Sequence, residues 1–142
     1  MEKQVDVENL DQRFRLLIAK YVRLESEHFK KNGLQHLTGA DIRAVHHIGQ
    51  RQKERMTNLA NHLRLTVGTL TTTVDRLVQK ELVLRQHLEE DRRVVEVRLS
   101  DKGTEAFEQI EKSKKILAEN IFGRLNEEEI ATFNRIMVKL ID

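Results

Sequence analysis

Between Thr66 and Gln79 the chain reads TVGTLTTTVDRLVQ, a run dense in β-branched residues that locally favour a strand. Its apolar residues, however, fall at Leu70, Val74, Leu77 and Val78, the i, i+4, i+7, i+8 spacing of a helix buried along one stripe. A strand would turn the adjacent Leu77 and Val78 to opposite faces, whereas a helix keeps them together. The spacing therefore predicts a helix, with Thr66 as its N-cap. Gly68 falls inside the first turn, where it permits close backbone approach at some cost in helix propensity. The face left outside holds Val67, Gly68, Thr71, Thr72, Asp75 and Arg76.

Small hydroxyls, methyls and one guanidinium suit the DNA major groove, where hydroxyls bond to several base edges and threonine methyls meet the thymine methyl. The free amides of the first turn suit a phosphate. A threonine-rich helix face is more commonly just solvated, so the neighbouring segments matter. Upstream, NLANHLRL reads as a short helix. Downstream, Leu82 to His87 and Val94 to Leu99 flank the charged turn EEDRR, with Val95, Val97 and Leu99 alternating against Val94, Glu96 and Arg98. The order is helix, turn, helix, hairpin. Asp91 and Arg93 stand two apart, so the carboxylate can hold the guanidinium ready for a narrow minor groove. The plain alternative is a surface ion pair of little worth at a solvated hairpin tip.

The run from Leu59 to Gly103 resembles the winged helix-turn-helix of the MarR family of bacterial transcription regulators. The resemblance is carried by Thr69-Leu70-Thr71, Leu77, Leu82-Val83-Leu84-Arg85, the wing signature Asp91-Arg92-Arg93 and the closing Leu99-Ser100-Asp101-Lys102-Gly103. It implies a mainly α fold with a small β-hairpin wing. One MarR-like domain would fill residues 1–142, with dimerisation helices at about 1–34 and 104–142 around a DNA-binding lobe at about 35–103. It also implies that Thr71, Thr72 and Arg76 face bases or nearby phosphates, that Thr69, with Thr66 and Gly68 beside it, meets the backbone, and that Arg93, with Asp91 and Arg92, serves the minor groove. Where family members commonly carry Gly, this chain has Glu81, which argues against a left-handed cap ending the recognition helix there.

Composition agrees. Residues 51–102 hold eleven Lys and Arg against eight Asp and Glu, while 103–142 hold six against eight, so the basic excess lies in the proposed DNA-binding segment. Trp is absent and aromatics are few, against a base-stacking surface for single strands. No cysteine is present, which excludes disulfides and thiol nucleophiles and fits a reducing cytoplasm. There is neither a signal-peptide pattern nor a run of about 18 apolar residues for a membrane span. A phosphate-binding Gly-rich loop, HExxH and GxSxG are all missing, so an enzyme is not expected. No cofactor is expected either.

The flanks read as helices. Leu10, Phe14, Leu17, Ile18, Tyr21 and Val22 make one stripe ending near Asn32-Gly33, and Ser100 opens a long helix. Asn126 and Glu129 form a capping-box start for a last helix that stays apolar to Leu140 and Ile141. Chain ends fray unless docked, so this pattern suggests burial against a partner or within one core. The resemblance favours a homodimer, whose two recognition helices would read an inverted repeat in double-stranded DNA at half-sites about 34 to 36 Å apart. Repression would follow from promoter occlusion, and an effector that prefers one lobe spacing would tune affinity.

Val45-His46-His47-Ile48-Gly49, Leu65 to Thr73 and Asp91 to Val95 also look like the branch that represses fatty-acid synthesis genes in Gram-positive bacteria. That branch implies an effector of acyl chains on acyl carrier protein, or a small apolar ligand. Phe14, Ile18, Phe29, Ile48 and Phe107 would line its pocket, although all five are equally explained as core. The alternatives are a zinc-responsive member, using donors among His28, His36, His46, His47, Glu25 and Glu27, or an interaction module that has lost DNA binding. Adjacent His46 and His47 point some 100 degrees apart on a helix, about the turn per residue, and so make poor joint ligands.

Overall fold

The computed structural model describes residues 2–142, with side chains from residue 6 onward. The elements in order are α1 (Glu2–Lys31), α2 (Gly39–Arg51), β1 (Lys53–Arg55), α3 (Met56–Leu63), α4 (Val67–Gln79), β2 (Val83–His87), β3 (Val95–Leu99), α5 (Asp101–Phe122) and α6 (Glu127–Ile141). The architecture is thus mainly helical with a small antiparallel sheet, as the sequence suggests. β1 is an addition to the expected hairpin. The sheet order is β1-β3-β2, with Glu54 opposite Val97 on one side of β3 and Arg85 opposite Val97 on the other.

Local chemistry sets the helix limits. Thr38 and Asp41 form a reciprocal capping box at α2, as Asn126 and Glu129 do at α6, each satisfying two otherwise orphaned amides. Thr66 caps α4, its Oγ1 accepting from the Thr69 amide at 3.1 Å. The β-branched run from Val67 is helical because Leu70, Val74 and Leu77 are fully buried and Val78 partly so; the buried stripe overrides local propensity.

The end of α4 corrects one expectation. Glu81 takes the left-handed conformation (φ 63°) despite its Cβ. Its amide donates to Val78 O and the Leu82 amide to Leu77 O, both at 3.0 Å, which closes a Schellman cap. Two things hold Glu81 there: Leu82, the next residue, is buried, and the Ser100 hydroxyl donates to the Glu81 carbonyl. Ser100 Oγ also accepts from the Gly103 amide at 3.0 Å, starting α5. Gly103 is required because a Cβ there would lie 1.9 Å from the Leu82 carbonyl oxygen.

Contacts divide the chain into two units, with the divisions inside α1 and α5 and not at their ends. Phe29–Lys112 is one unit, a lobe built around Val45, Ile48, Leu59, Leu70, Leu77 and Val97. The other runs up to His28 and resumes at Ser113–Asp142. In it Leu117 is buried and the Phe122 and Phe133 rings lie 5.8 Å apart. None of the α6 residues is buried, and Leu140 and Ile141 are 72% and 75% exposed. No helix among the described residues is long and apolar enough to cross a membrane.

Candidate nucleic-acid interface

The first two turns of α4 present Val67, Gly68, Thr69 and Thr72 to solvent, with Thr71 half-buried. Their hydroxyls are ordered from within. Thr71 Oγ1 donates to Val67 O at 2.8 Å and Thr72 Oγ1 to Gly68 O at 3.3 Å, the back-bonding to residue i−4 typical of helical threonine. Thr66 Oγ1 donates to Thr69 Oγ1 at 2.9 Å. The hydroxyl protons of Thr71 and Thr72 are thus used within the helix. At Gly68 an added Cβ would meet nothing within 4 Å, so no intramolecular contact accounts for the glycine.

The wing completes the surface. Arg93 stacks both ends of its guanidinium on Asp91, Nε to Oδ1 at 3.0 Å and Nη2 to Oδ2 at 3.2 Å, and its amide also donates to Oδ1. These hydrogen bonds hold the Asp91 carboxyl below its ordinary pKa. The Arg93 side chain is 89% exposed, so the pair presents an oriented cation. His87 Nδ1 bonds the Arg92 carbonyl at 2.7 Å and stiffens the turn, while Arg92 itself is exposed. Between α4, the start of α3 and the wing lies a cleft of about 480 Å³ whose walls include Val67, Thr71, Arg55, Arg85 and Arg93.

Arg76 is placed differently from the other residues of this face. Its Nη2 lies 2.7 Å and its Nε 3.2 Å from Oδ1 of Asp41, a fully buried carboxylate. Lys80 Nζ approaches the same carboxylate at 3.4 Å and donates to His36 O at 2.7 Å. Burial pushes the Asp41 pKa up. The hydrogen bonds from Arg76 and the Thr38 amide, with the charges of Arg76 and Lys80, pull it further down, below the ordinary carboxylate range. Asp41 thus locks α2 to the second half of α4, a role beyond the capping its position suggests. Asp75, on the exposed side, pairs with Arg85 of β2 at 2.6 Å.

The residues expected to line an effector pocket fall in different units. Phe29 and Ile48 are closed within the core of the lobe and Phe107 packs against it, over Gly49 and beside the His46 ring. These three are engaged in core packing. Phe14 and Ile18, in the other unit, are each 46% exposed. His46 and His47 are engaged as well. His46 bonds Glu111, and buried His47 bonds Glu54 at 3.0 Å with the His62 ring 3.9 Å away. The described residues hold no group of three donors placed for a metal ion.

A MarR family model matches residues 37–95. Among curated relatives, the transcriptional repressor MdtR of Bacillus subtilis is 27% identical over 124 residues, 87% of this chain and 80% of MdtR. The fold matches that of an Escherichia coli MarR mutant in complex with operator DNA, with TM-score 0.75, 25% identity and coverage of 96% of each chain. It also matches Streptococcus pneumoniae FabT in complex with DNA, with TM-score 0.78, 22% identity and coverage of 99% of this chain and 95% of FabT. The winged-helix lobe, its wing and the exposed start of α4 accord with these matches: residues 37–95 match the MarR family, and the chain is a MarR-type winged-helix transcriptional regulator.

Proposed function

We propose that this regulator is a cytoplasmic homodimer that represses by occupying an inverted repeat, each protomer laying the start of α4 in a major groove and its wing beside a minor groove. The observation that carries this reading is Gly68, a helix-weakening residue with no contact inside the chain to explain it, beside the exposed Thr69 and Thr72 of the same helix face. Thr71 and Thr72 then meet base edges. Thr66, Gly68 and Thr69 approach the phosphates, where the free amides and partial positive charge of the helix start favour an anion. Asp91 orients Arg93 toward the minor groove, and Arg92 supports it at the backbone. Arg76 acts through Asp41, by fixing the angle of α4.

The dimer is supported by the apolar surface that α1 and α6 leave uncovered, including Phe14, Ile18, Ile136, Leu140 and Ile141. A symmetric pair would read half-sites about one helical turn apart. The effector this reading names is an acyl chain presented by acyl carrier protein, supported by the resemblance in Val45 to Gly49, Leu65 to Thr73 and Asp91 to Val95.

Titration of promoter duplexes followed by fluorescence anisotropy, with sedimentation of free and bound protein, tests the reading. Sequence-selective binding of one dimer per inverted repeat, weakening as salt rises, is expected. A monomer, or affinity indifferent to sequence, overturns it. Long-chain acyl carrier protein that leaves the affinity unchanged removes the effector assignment alone.

A further inference from the structure

The proposed DNA contact can be taken one step further, to the chemistry that α4 recognises, and this step rests on that proposal. Over the first two turns, the side-chain donors facing the groove are already engaged. Thr71 and Thr72 donate to the carbonyls of Val67 and Gly68, and Thr66 donates to Thr69. The cations of the helix are engaged too, Arg76 on Asp41 and Lys80 on Asp41 and the His36 carbonyl. The exceptions lie at the tip of the helix, where the Thr69 hydroxyl and the amides ahead of the capped Thr69 amide remain and a phosphate is the fitting partner.

What the face still offers to a base pair is therefore apolar surface and hydroxyl lone pairs. Val67 is 53% exposed, a branched apolar side chain at the start of a helix that gains nothing from leaving it in water. Thr71 stands one turn beyond it on the same side, and its bond to Val67 O fixes its rotamer and hence its methyl. Gly68 leaves open space beside them. Guanine shows the major groove two acceptors, N7 and O6, which need a donor such as a free Arg; the feature that complements methyls is the thymine C5 methyl.

We infer that α4 reads its half-site through thymine methyl groups, with Val67 as the main contact and the Thr71 methyl beside it. The lone pairs of Thr71 and Thr72 accept from the amino groups of adenine or cytosine at neighbouring positions.

The test uses the full chain to select binding sequences from random duplexes. Each thymine of the selected half-site is then replaced by deoxyuridine, which lacks only the methyl. In the wild type, at least one thymine per half-site loses roughly fourfold in affinity, the worth of one buried methyl. That loss disappears in Val67→Ala or in Thr71→Ser, which keeps the hydroxyl. A loss caused by altered DNA shape would persist in both variants, so the coupling isolates the contact. Deoxyuridine tolerated at every position, or an equal loss in both variants, overturns the inference while leaving DNA binding intact. Failure of the selection to enrich any sequence overturns the proposed function and the inference together. Val67 is exposed, and an unchanged unfolding midpoint in Val67→Ala verifies that the fold is retained.

Discussion

Arg76 and Asp41, thirty-five positions apart, meet in a two-pronged contact in which both Nε and Nη2 of the guanidinium donate to one carboxylate oxygen that is closed from solvent. Removing the arginine leaves a buried carboxylate with Lys80 and the Thr38 amide as its remaining partners. Arg76→Ala is therefore expected to lower stability, less than for a fully buried pair because the guanidinium is partly in water. Urea unfolding measures it. The same contact fixes a pH dependence. The folded Asp41 pKa lies below its ordinary value, so its stabilising contribution is complete above the ordinary carboxylate range and is lost as pH falls through the depressed value. In Asp41→Asn the acid-side fall in stability is shallower.

Gly68→Ala separates stability from binding. Alanine at this open position stabilises the helix by about 0.5 to 1 kcal/mol, which thermal unfolding detects. The added methyl stands where the duplex is proposed to approach, so affinity falls while the melting temperature rises.

Arg93→Ala removes the oriented cation of the wing from a side chain that supports no packing. Binding to a cognate duplex weakens by about 1 to 3 kcal/mol, with the unfolding midpoint unchanged. Asp91→Ala frees the guanidinium without deleting it and gives a smaller loss in the same titration.

Glu81 holds a left-handed backbone that costs a non-glycine residue about 1 to 2 kcal/mol. Glycine relieves that cost but also loosens the unfolded chain, so Glu81→Gly gains about 0.5 to 1 kcal/mol net. Chemical denaturation checks the gain, and DNA affinity stays as it was.

The recognition helix, its Thr66 cap, the capping box at Asn126 and the hairpin were all legible because each signal is local: a spacing, a cap or an alternation. What the sequence withheld is nonlocal. β1 consists of Lys53, Glu54 and Arg55, which carry no apolar alternation and are recruited by backbone pairing to β3. The engagement of Arg76 by Asp41 depends on how α2 crosses α4, which no periodicity reveals. Glu81 was misread because residue preference points away from a left-handed cap, whereas buried Leu82 and the Ser100 hydroxyl impose one. Phe29, Ile48 and Phe107 have the composition of a ligand pocket and of a core alike, and burial alone distinguishes the two.

The engagement of Arg76 and Lys80 with Asp41 bears on how the proposed complex responds to salt. Hydroxyl and methyl contacts release no counterions, so on the proposed reading the ionic-strength dependence of affinity resides in the phosphate contacts, and the ratio of affinities for correct and incorrect sites is expected to change little as salt rises.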